Sequence, residues 1–150
     1  MIKTIFLEVK SMKELLARCG YRCDLCMAYK PNVETHPDNP QRLSEGWKRY
    51  FGLRVPPEQI LCDGCLAENP RLQDQDCPVR PCALEKNLRN CSECASYVCE
   101  KLTRRLVFFE EIQKTNQTPI SEEDRRAFIL PYENGARLEA LIKAKKPLSE

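Results

Sequence analysis

The sequence has very little histidine, since His36 is the only one in 150 residues. That count excludes the H-E-x-x-H zinc-protease motif, which needs two histidines. A glycine-rich phosphate loop and the G-x-S-x-G nucleophile motif are missing as well. His36 lies between Thr35 and Pro37 in a polar stretch, where we expect a surface residue rather than a catalytic base. The sequence therefore predicts no catalytic residue and gives no support for an enzyme.

Long apolar runs are also absent. The longest, such as residues 106–109, hold four residues, whereas a helix that crosses a bilayer needs about 20. The N-terminus lacks the apolar region and the small-residue cleavage site of a signal peptide. We therefore expect a cytosolic protein that does not enter a membrane.

The composition is typical of a folded chain, with 42% hydrophobic and 31% charged residues. We expect a single cysteine-rich metal-binding domain over residues 1–150. Within it, residues 19–102 form the cysteine core and residues 103–150 a helical tail. Residues 1–11 are expected to be an extension outside the packed domain, with Met12 as an alternative start.

Cysteine is unusually frequent, with ten residues that fall in four tight groups. Two thiolates in a C-x-x-C pair can turn toward one cation, and backbone N–H groups between them offset the charge on sulfur. In a reducing cytosol such pairs hold metal more often than they form disulfides. Five disulfides in a secreted chain are the alternative, and they would require an export signal. The groups read C-G-Y-R-C-D-L-C (19–26), C-D-G-C (62–65), C-P-V-R-P-C (77–82) and C-S-E-C-A-S-Y-V-C (91–99).

Two zinc sites with four cysteines each are the simplest assignment of these sulfurs, because structural zinc is tetrahedral. A crossed arrangement, in which the pair at 62–65 faces the pair at 91–94, remains open. Cys19 and Cys99 are left as additional or alternate ligands, or as buried thiols. The predicted ligands are Cys23, Cys26, Cys62 and Cys65 in one site, and Cys77, Cys82, Cys91 and Cys94 in the other.

The net charge argues against nucleic acid as a partner. The formal value is +2, but two zinc ions on eight thiolates would bring it to about −2. The doublets 104–105 and 125–126 are the only candidate basic face, and we expect them on solvated helix faces. Other cations lie near the cysteines in sequence, where they can offset thiolate charge: Arg18, Arg22, Arg80, Lys86, Arg89 and Lys101.

An iron–sulfur cluster is the competing cofactor, because the same thiolates hold it. Cys19, Cys23 and Cys26 have the spacing found in radical S-adenosylmethionine enzymes. Those enzymes need a large βα barrel, and the chain has no alternating strand–helix pattern. A thiol-based redox role is a further alternative, and it needs a lowered pKa at Cys19 or Cys99.

Hydrophobic periodicity predicts a mainly α fold with about four to five helices, irregular loops around the cysteine knuckles and little or no sheet. Trp47 is expected to anchor the core rather than to form a ligand platform. The expected elements are helical turns over 11–18, a loop over 29–38, a helix from Asn39 to Gly52, an irregular segment over 56–80 with a tight turn at Gly64, a short helix from Pro81, the longest helix over 96–114, a capped helix from Ser121 to Pro131, and a last helix over 134–144.

Five separated blocks of the sequence carry a resemblance to a known family. They are A-R-C-G-Y-R-C-D-L-C-M-A-Y-K, W-K-R-Y-F-G, P-P-E-Q-I-L-C-D-G-C-L, D-C-P-V-R-P-C-A-L-E-K and C-S-E-C-A-S-Y-V-C-E-K-L. In this order they resemble the cysteine-rich prokaryotic domain-of-unknown-function family 3795. The resemblance covers about residues 18–102 and implies a shared metal-binding role, because all ten cysteines fall on cysteine positions of the family pattern. It implies no particular reaction.

The four-cysteine sites and the absence of catalytic motifs lead us to expect a zinc-stabilised module that binds a protein partner or a small ligand near Trp47.

Overall fold

The computed structural model describes residues 14–145, and helices dominate that range. It contains seven α-helical segments and no sheet, which confirms the mainly α prediction but gives more and shorter helices than expected. Two isolated bridges join Leu16 to Arg22 and Tyr29 to Cys62. The helices are α1 (Lys30–Thr35), α2 (Asn39–Phe51), α3 (Val79–Glu85), α4 (Glu100–Thr103), α5 (Phe109–Thr115), α6 (Glu122–Asp124) and α7 (Asn134–Lys145).

Helix α2 is the longest helix in the described range and confirms the prediction for this stretch. Pro40 lies in its first turn, where the missing N–H has no intrahelical partner to lose. Gly52 ends the helix in the left-handed region, with φ of 68°. Trp47 is only 6% exposed, so it is a core residue as predicted. The cap position differs by one residue, because Asn39 lies inside the helix.

The core consists of two neighbouring groups of buried side chains. The first forms around the apolar face of α2 and includes Ile60 and Ile129. The second consists of Ala17, Cys19, Val79, Leu102 and Leu138, and half-buried cysteines from several segments pack against it. Most of the cysteines therefore lie beside the second core group, whereas Cys26 and Cys62 pack against the first.

The segment after α5 is helical in three different geometries. Ser121 Oγ accepts the Asp124 N–H at 3.1 Å, which confirms the predicted cap of α6. The chain then passes through a π-helical turn (Arg125–Ile129) and a 3₁₀ turn (Leu130–Tyr132) into α7. In α7 Leu138 is fully buried.

Two elements predicted for the N-terminal part of the described range are wrong. Residues 14–18 are not helical, because Leu15 donates its N–H to Asp24 Oδ1 and Leu16 pairs with Arg22. The expected loop over 29–38 contains α1, since Pro31 lies in the first turn of that helix and does not break it. Residues 11–13, the extension over 1–11 and Met12 lie outside the described residues.

The predicted long helix over 96–114 is also wrong, because it is split into α4 and α5. Backbone groups between these helices bond to other parts of the chain. Tyr21 donates its hydroxyl to Arg105 O at 2.7 Å, and Asn134 Oδ1 accepts the Val107 N–H at 3.0 Å. These bonds replace intrahelical ones. None of the helices within residues 14–145 has the length and apolarity to cross a membrane.

Candidate functional site

All ten cysteines are free thiols in the structure, so none of the five disulfides of the secreted alternative is formed. The sulfur-bearing residues line two cavities. We call these the small cavity, which four cysteines line, and the large cavity, which six cysteines line. The four are Cys82, Cys91, Cys94 and Cys99, and the six are Cys19, Cys23, Cys26, Cys62, Cys65 and Cys77.

The small cavity has the volume of a single ion. It measures about 10 Å³, close to the space that one water molecule needs. Cys82 comes from α3, Cys91 begins a 3₁₀ turn that ends just before Cys94, and Cys99 precedes α4. Leu102 and Val79 close the cavity on the core side. Four cysteines from three short elements therefore line a space of atomic size.

Electrostatics in the small cavity disfavour several thiolates unless a cation joins them. Burial, together with the nearby Cys99, Cys94 and Cys82, raises the pKa of Cys91 to about 12. Lys86 Nζ lies 3.5 Å from Cys94 Sγ and donates to it. This lysine supplies one positive charge, whereas four thiolates would carry four negative ones, so a divalent cation would reduce the net charge of the site from −3 to −1.

The large cavity is of a different size class. Its volume is about 630 Å³, and aromatic side chains such as Trp47, Phe51 and Tyr132 line it together with the six cysteines. Small-molecule pockets in proteins commonly measure 300–1,000 Å³. The large cavity could therefore accommodate more than one ion, or an ion together with an organic ligand.

The two C-x-x-C segments of the large cavity are held together by their backbones. Cys62 donates its N–H to Ala28 O at 2.8 Å, and Lys30 donates its N–H to Cys62 O at 2.8 Å. Gly64 has φ of 93°, as predicted for the tight turn, and donates its N–H to Cys62 Sγ at 3.4 Å. Such N–H···S contacts offset negative charge on sulfur.

Cys26 belongs to a hydrogen-bonded chain that leads into the first core group. Its Sγ atom lies 3.0 Å from the hydroxyl of Tyr132. That hydroxyl also accepts the Trp47 Nε1–H at 3.3 Å. Burial raises the pKa of Cys26, and the hydrogen bond from Tyr132 opposes the increase. The α2 helix thus fixes the position of one sulfur of the large cavity.

Cys19 and Cys77 also line the large cavity. Cys19 is 5% exposed, and burial together with the nearby Cys77, Cys65 and Cys23 raises its pKa well above the usual value. A reactive thiolate needs a lowered pKa, so Cys19 does not have the electrostatic environment that the redox alternative requires.

Two guanidinium groups lie beside Cys65. Burial raises the pKa of Cys65, whereas a backbone hydrogen bond from Arg18 and the positive charges of Arg18 and Arg80 lower it. Arg18 Nε is a buried donor without a hydrogen-bond partner among the described residues. An N–H group left in this way costs free energy, so a negatively charged sulfur nearby would suit this arginine better than a neutral thiol.

The structure groups the predicted ligands differently from the sequence spacing. The first predicted set, at 23, 26, 62 and 65, lines one cavity. Cys77, which was predicted in the second set, also lies at the large cavity, whereas Cys99 joins Cys82, Cys91 and Cys94. Within residues 14–145, no group of three or more His, Cys, Asp or Glu side chains lies close enough together to hold an ion directly. Metal coordination would therefore require the cysteine side chains to rotate.

The remaining candidate residues lie apart from the sulfur atoms. His36 is exposed at the end of α1 and contributes to neither cavity. The arginines of the two basic doublets are each paired with a carboxylate, which neutralises the only candidate basic face. The pairs are Arg104–Glu100, Arg105–Asp74, Arg125–Glu133 and Arg126–Glu122.

The model of one protein family matches residues 15–104, and its description reads "Protein of unknown function (DUF3795)". This range is more than half of the chain and contains all ten cysteines. The chain belongs to the DUF3795 family. Comparisons with curated proteins and with solved structures give no match. Both cavities of this DUF3795 member draw their cysteines from the matched range.

Two residues near the sulfurs of this DUF3795 protein escaped the sequence analysis. Tyr132 bonds to Cys26, and the buried Asn134 donates its amide to Cys19 O at 2.7 Å. Both lie outside the family match and more than 100 positions from their partners in sequence. Neither has a local motif that predicts such a contact.

Proposed function

We propose that this DUF3795 protein is a structural zinc protein whose cysteines form the metal centres. The observation that supports the proposal best is the division of ten free cysteines between two cavities, one of which is lined by four cysteines and has the size of a single ion. Zinc prefers four thiolates in tetrahedral geometry. Because free thiols persist where glutathione keeps them reduced, we also propose the cytoplasm as the location.

In this proposal, Cys82, Cys91, Cys94 and Cys99 bind one zinc ion at the small cavity. A second ion binds at the large cavity, where the predicted set of Cys23, Cys26, Cys62 and Cys65 supplies the ligands. These ions would stabilise the irregular segment between α2 and α3, which has little regular structure of its own. Structural zinc supplies folding free energy in this way in other small domains.

Metal analysis of the full chain, purified without oxygen, tests this proposal. We expect zinc in the wild-type protein, and one zinc fewer in Cys91→Ser, because the small cavity loses a ligand. Ser96→Ala is the matched control, since this exposed serine lies in the same segment and is expected to keep all the zinc. Equal zinc content in Cys91→Ser and the wild type would contradict the small-cavity site.

An iron–sulfur cluster at the large cavity is the second candidate, and the volume of about 630 Å³ favours it. A cluster of several iron and sulfide ions needs more space than the small cavity offers. If the protein contains iron and acid-labile sulfide in equal amounts and absorbs near 400 nm, the large cavity holds an iron–sulfur cluster instead of zinc. The assignment of zinc to the small cavity would not change.

We also propose that the large cavity binds a small organic ligand. Beyond the sulfurs, the large cavity continues along Trp47, Phe51 and Tyr132, which gives an organic ligand an aromatic wall. Titration with a small-molecule library, read by the fluorescence of the single tryptophan, tests for a ligand. No change of Trp47 fluorescence with any compound would contradict ligand binding at this wall.

A further inference from the structure

Five arginines but only one carboxylate are among the residues that line the large cavity. The arginines at positions 22, 104 and 105 form ion pairs with aspartate or glutamate side chains. Arg18 and Arg80 form none with the part of the chain that the structure describes. We propose that these two arginines bind the carboxylate or phosphate group of a small aromatic ligand. This inference rests on the proposed function, because it names the class of organic ligand that the large cavity takes.

Backbone carbonyls hold both guanidinium groups in place. Arg18 Nη1 donates to the carbonyls of residues 88 and 89, at 3.1 and 3.0 Å. Arg80 Nε donates to Cys65 O at 3.0 Å, and its Nη2 donates to Ala67 O at 3.2 Å. The two positive groups are therefore ordered before a ligand binds, which lowers the entropic cost of binding.

Both arginines have further N–H groups that can donate to an acceptor. A guanidinium has five N–H groups, and each arginine uses two of them on backbone carbonyls, so three remain on each. One of these is Arg18 Nε, which is buried and has no partner between residues 14 and 145. Because a buried donor without a partner costs free energy, and because guanidiniums form paired bonds to carboxylate and phosphate oxygens, an oxyanion suits this part of the cavity.

The proposed zinc ion does not use all of these donors. Arg80 contacts the Cys65 carbonyl, and the charges of Arg18 and Arg80 both act on the Cys65 thiol, so the two guanidiniums lie at one part of the cavity wall. Zinc with four thiolates would carry a charge of about −2, which balances two arginines. The single sulfur of Cys65 cannot, however, accept all the remaining N–H groups of both arginines, so donors are left for a ligand.

Aromatic side chains determine the second feature of the ligand. The centroid of the Tyr132 ring lies 6.0 Å from that of Phe51 and 6.4 Å from that of Trp47. All three rings line the large cavity, and an aromatic ring of a ligand can pack against such a group. The volume of about 630 Å³ is in the range of organic-ligand pockets. A ligand with an acidic group and an aromatic ring can therefore use both features of the same cavity.

Calorimetric titration of the anaerobically purified full chain tests the inference with acids and their neutral analogues. Indole-3-acetate and indole-3-acetamide share a ring and differ in charge, as do adenosine 5′-monophosphate and adenosine. We expect at least one of the two anions to bind about tenfold or more tightly than its neutral analogue, because charge-assisted hydrogen bonds are stronger than neutral ones. The pair that shows the preference tells whether a carboxylate or a phosphate is recognised.

Arg80→Gln is expected to remove most of this preference for the anion, because it removes one guanidinium and leaves the aromatic wall unchanged. Arg126→Gln is the matched control. It makes the same change of charge at an exposed arginine that is paired with Glu122 and does not line the large cavity, so we expect it to keep the preference. An undiminished preference in Arg80→Gln would overturn the inference.

The outcomes separate this inference from the proposed function. Equal affinity for acid and neutral analogue in both pairs would overturn the arginine site and leave an uncharged organic ligand standing. If neither anion binds, the inference fails, whereas the organic ligand is still tested by Trp47 fluorescence and zinc by metal analysis. The comparison of acid with neutral analogue needs no variant, so it decides the question even if Arg80→Gln does not fold.

Discussion

Asn134 is the buried polar residue that ties the C-terminal helix to the first cysteine, and its replacement by alanine should destabilise the protein strongly. Its side chain is fully buried. The amide donates to Cys19 O at 2.7 Å and to Arg105 O at 3.1 Å, and its oxygen accepts the Val107 N–H at 3.0 Å. Asn134→Ala removes these bonds and leaves Cys19 O and the Val107 N–H without a partner, whereas Arg105 O still accepts the Tyr21 hydroxyl.

The expected loss follows from the number of groups left unpaired. A buried polar group without a partner costs about 1–3 kcal/mol, so two at the low end of that range give about 2 kcal/mol. The assay is urea unfolding of the zinc-loaded protein, followed by circular dichroism. Asn116→Ala is the control, because Asn116 bonds only locally to Thr118, and it should cost less than about 1 kcal/mol. Equal losses in both variants would refute the reasoning.

Two further predictions concern the α2 contact and the lysine near the small cavity. Gly46→Ala would place its Cβ 2.3 Å from the Phe128 ring, so we expect a net destabilisation of about 1–2 kcal/mol in thermal unfolding, since overpacking outweighs the gain in helix propensity. Glu45→Ala is its exposed neighbour and control, and a Gly46→Ala protein as stable as that control would show that the ring moves freely. Lys86→Met removes the cation 3.5 Å from Cys94 Sγ, and we expect a chelator to extract the small-cavity zinc more readily by less than about tenfold, because the lysine is exposed. Lys114→Met should leave extraction unchanged, and equal extraction rates in both variants would contradict this role of Lys86.

The parts of the fold that could be predicted from the sequence are those with local causes. Pro40, Gly52 and the apolar spacing of Leu43 and Trp47 determine α2 within a single stretch of chain. The cap at Ser121 is equally local. The break between α4 and α5 could not be predicted, because it depends on bonds from Tyr21 and Asn134, which are distant in sequence.

In the candidate site, too, only the features with local causes could be predicted from the sequence. Spacing within C-x-x-C pairs correctly indicates which neighbouring cysteines share a cavity: Cys23 with Cys26, Cys62 with Cys65, and Cys91 with Cys94. The pair at 77 and 82 differs, because Val79 is buried in the second core group between them and the two cysteines line different cavities. Which pairs face each other depends on tertiary packing, and sequence spacing carries no information about it.

The central claim is that the cysteines of this protein bind zinc, and the metal content of the purified chain tests it most directly. Zinc, iron and sulfide should be measured together on full-length protein prepared without oxygen, with folding verified by circular dichroism. The account predicts two zinc ions per chain and no iron. A folded, monodisperse chain that contains less than one metal ion per molecule would contradict it.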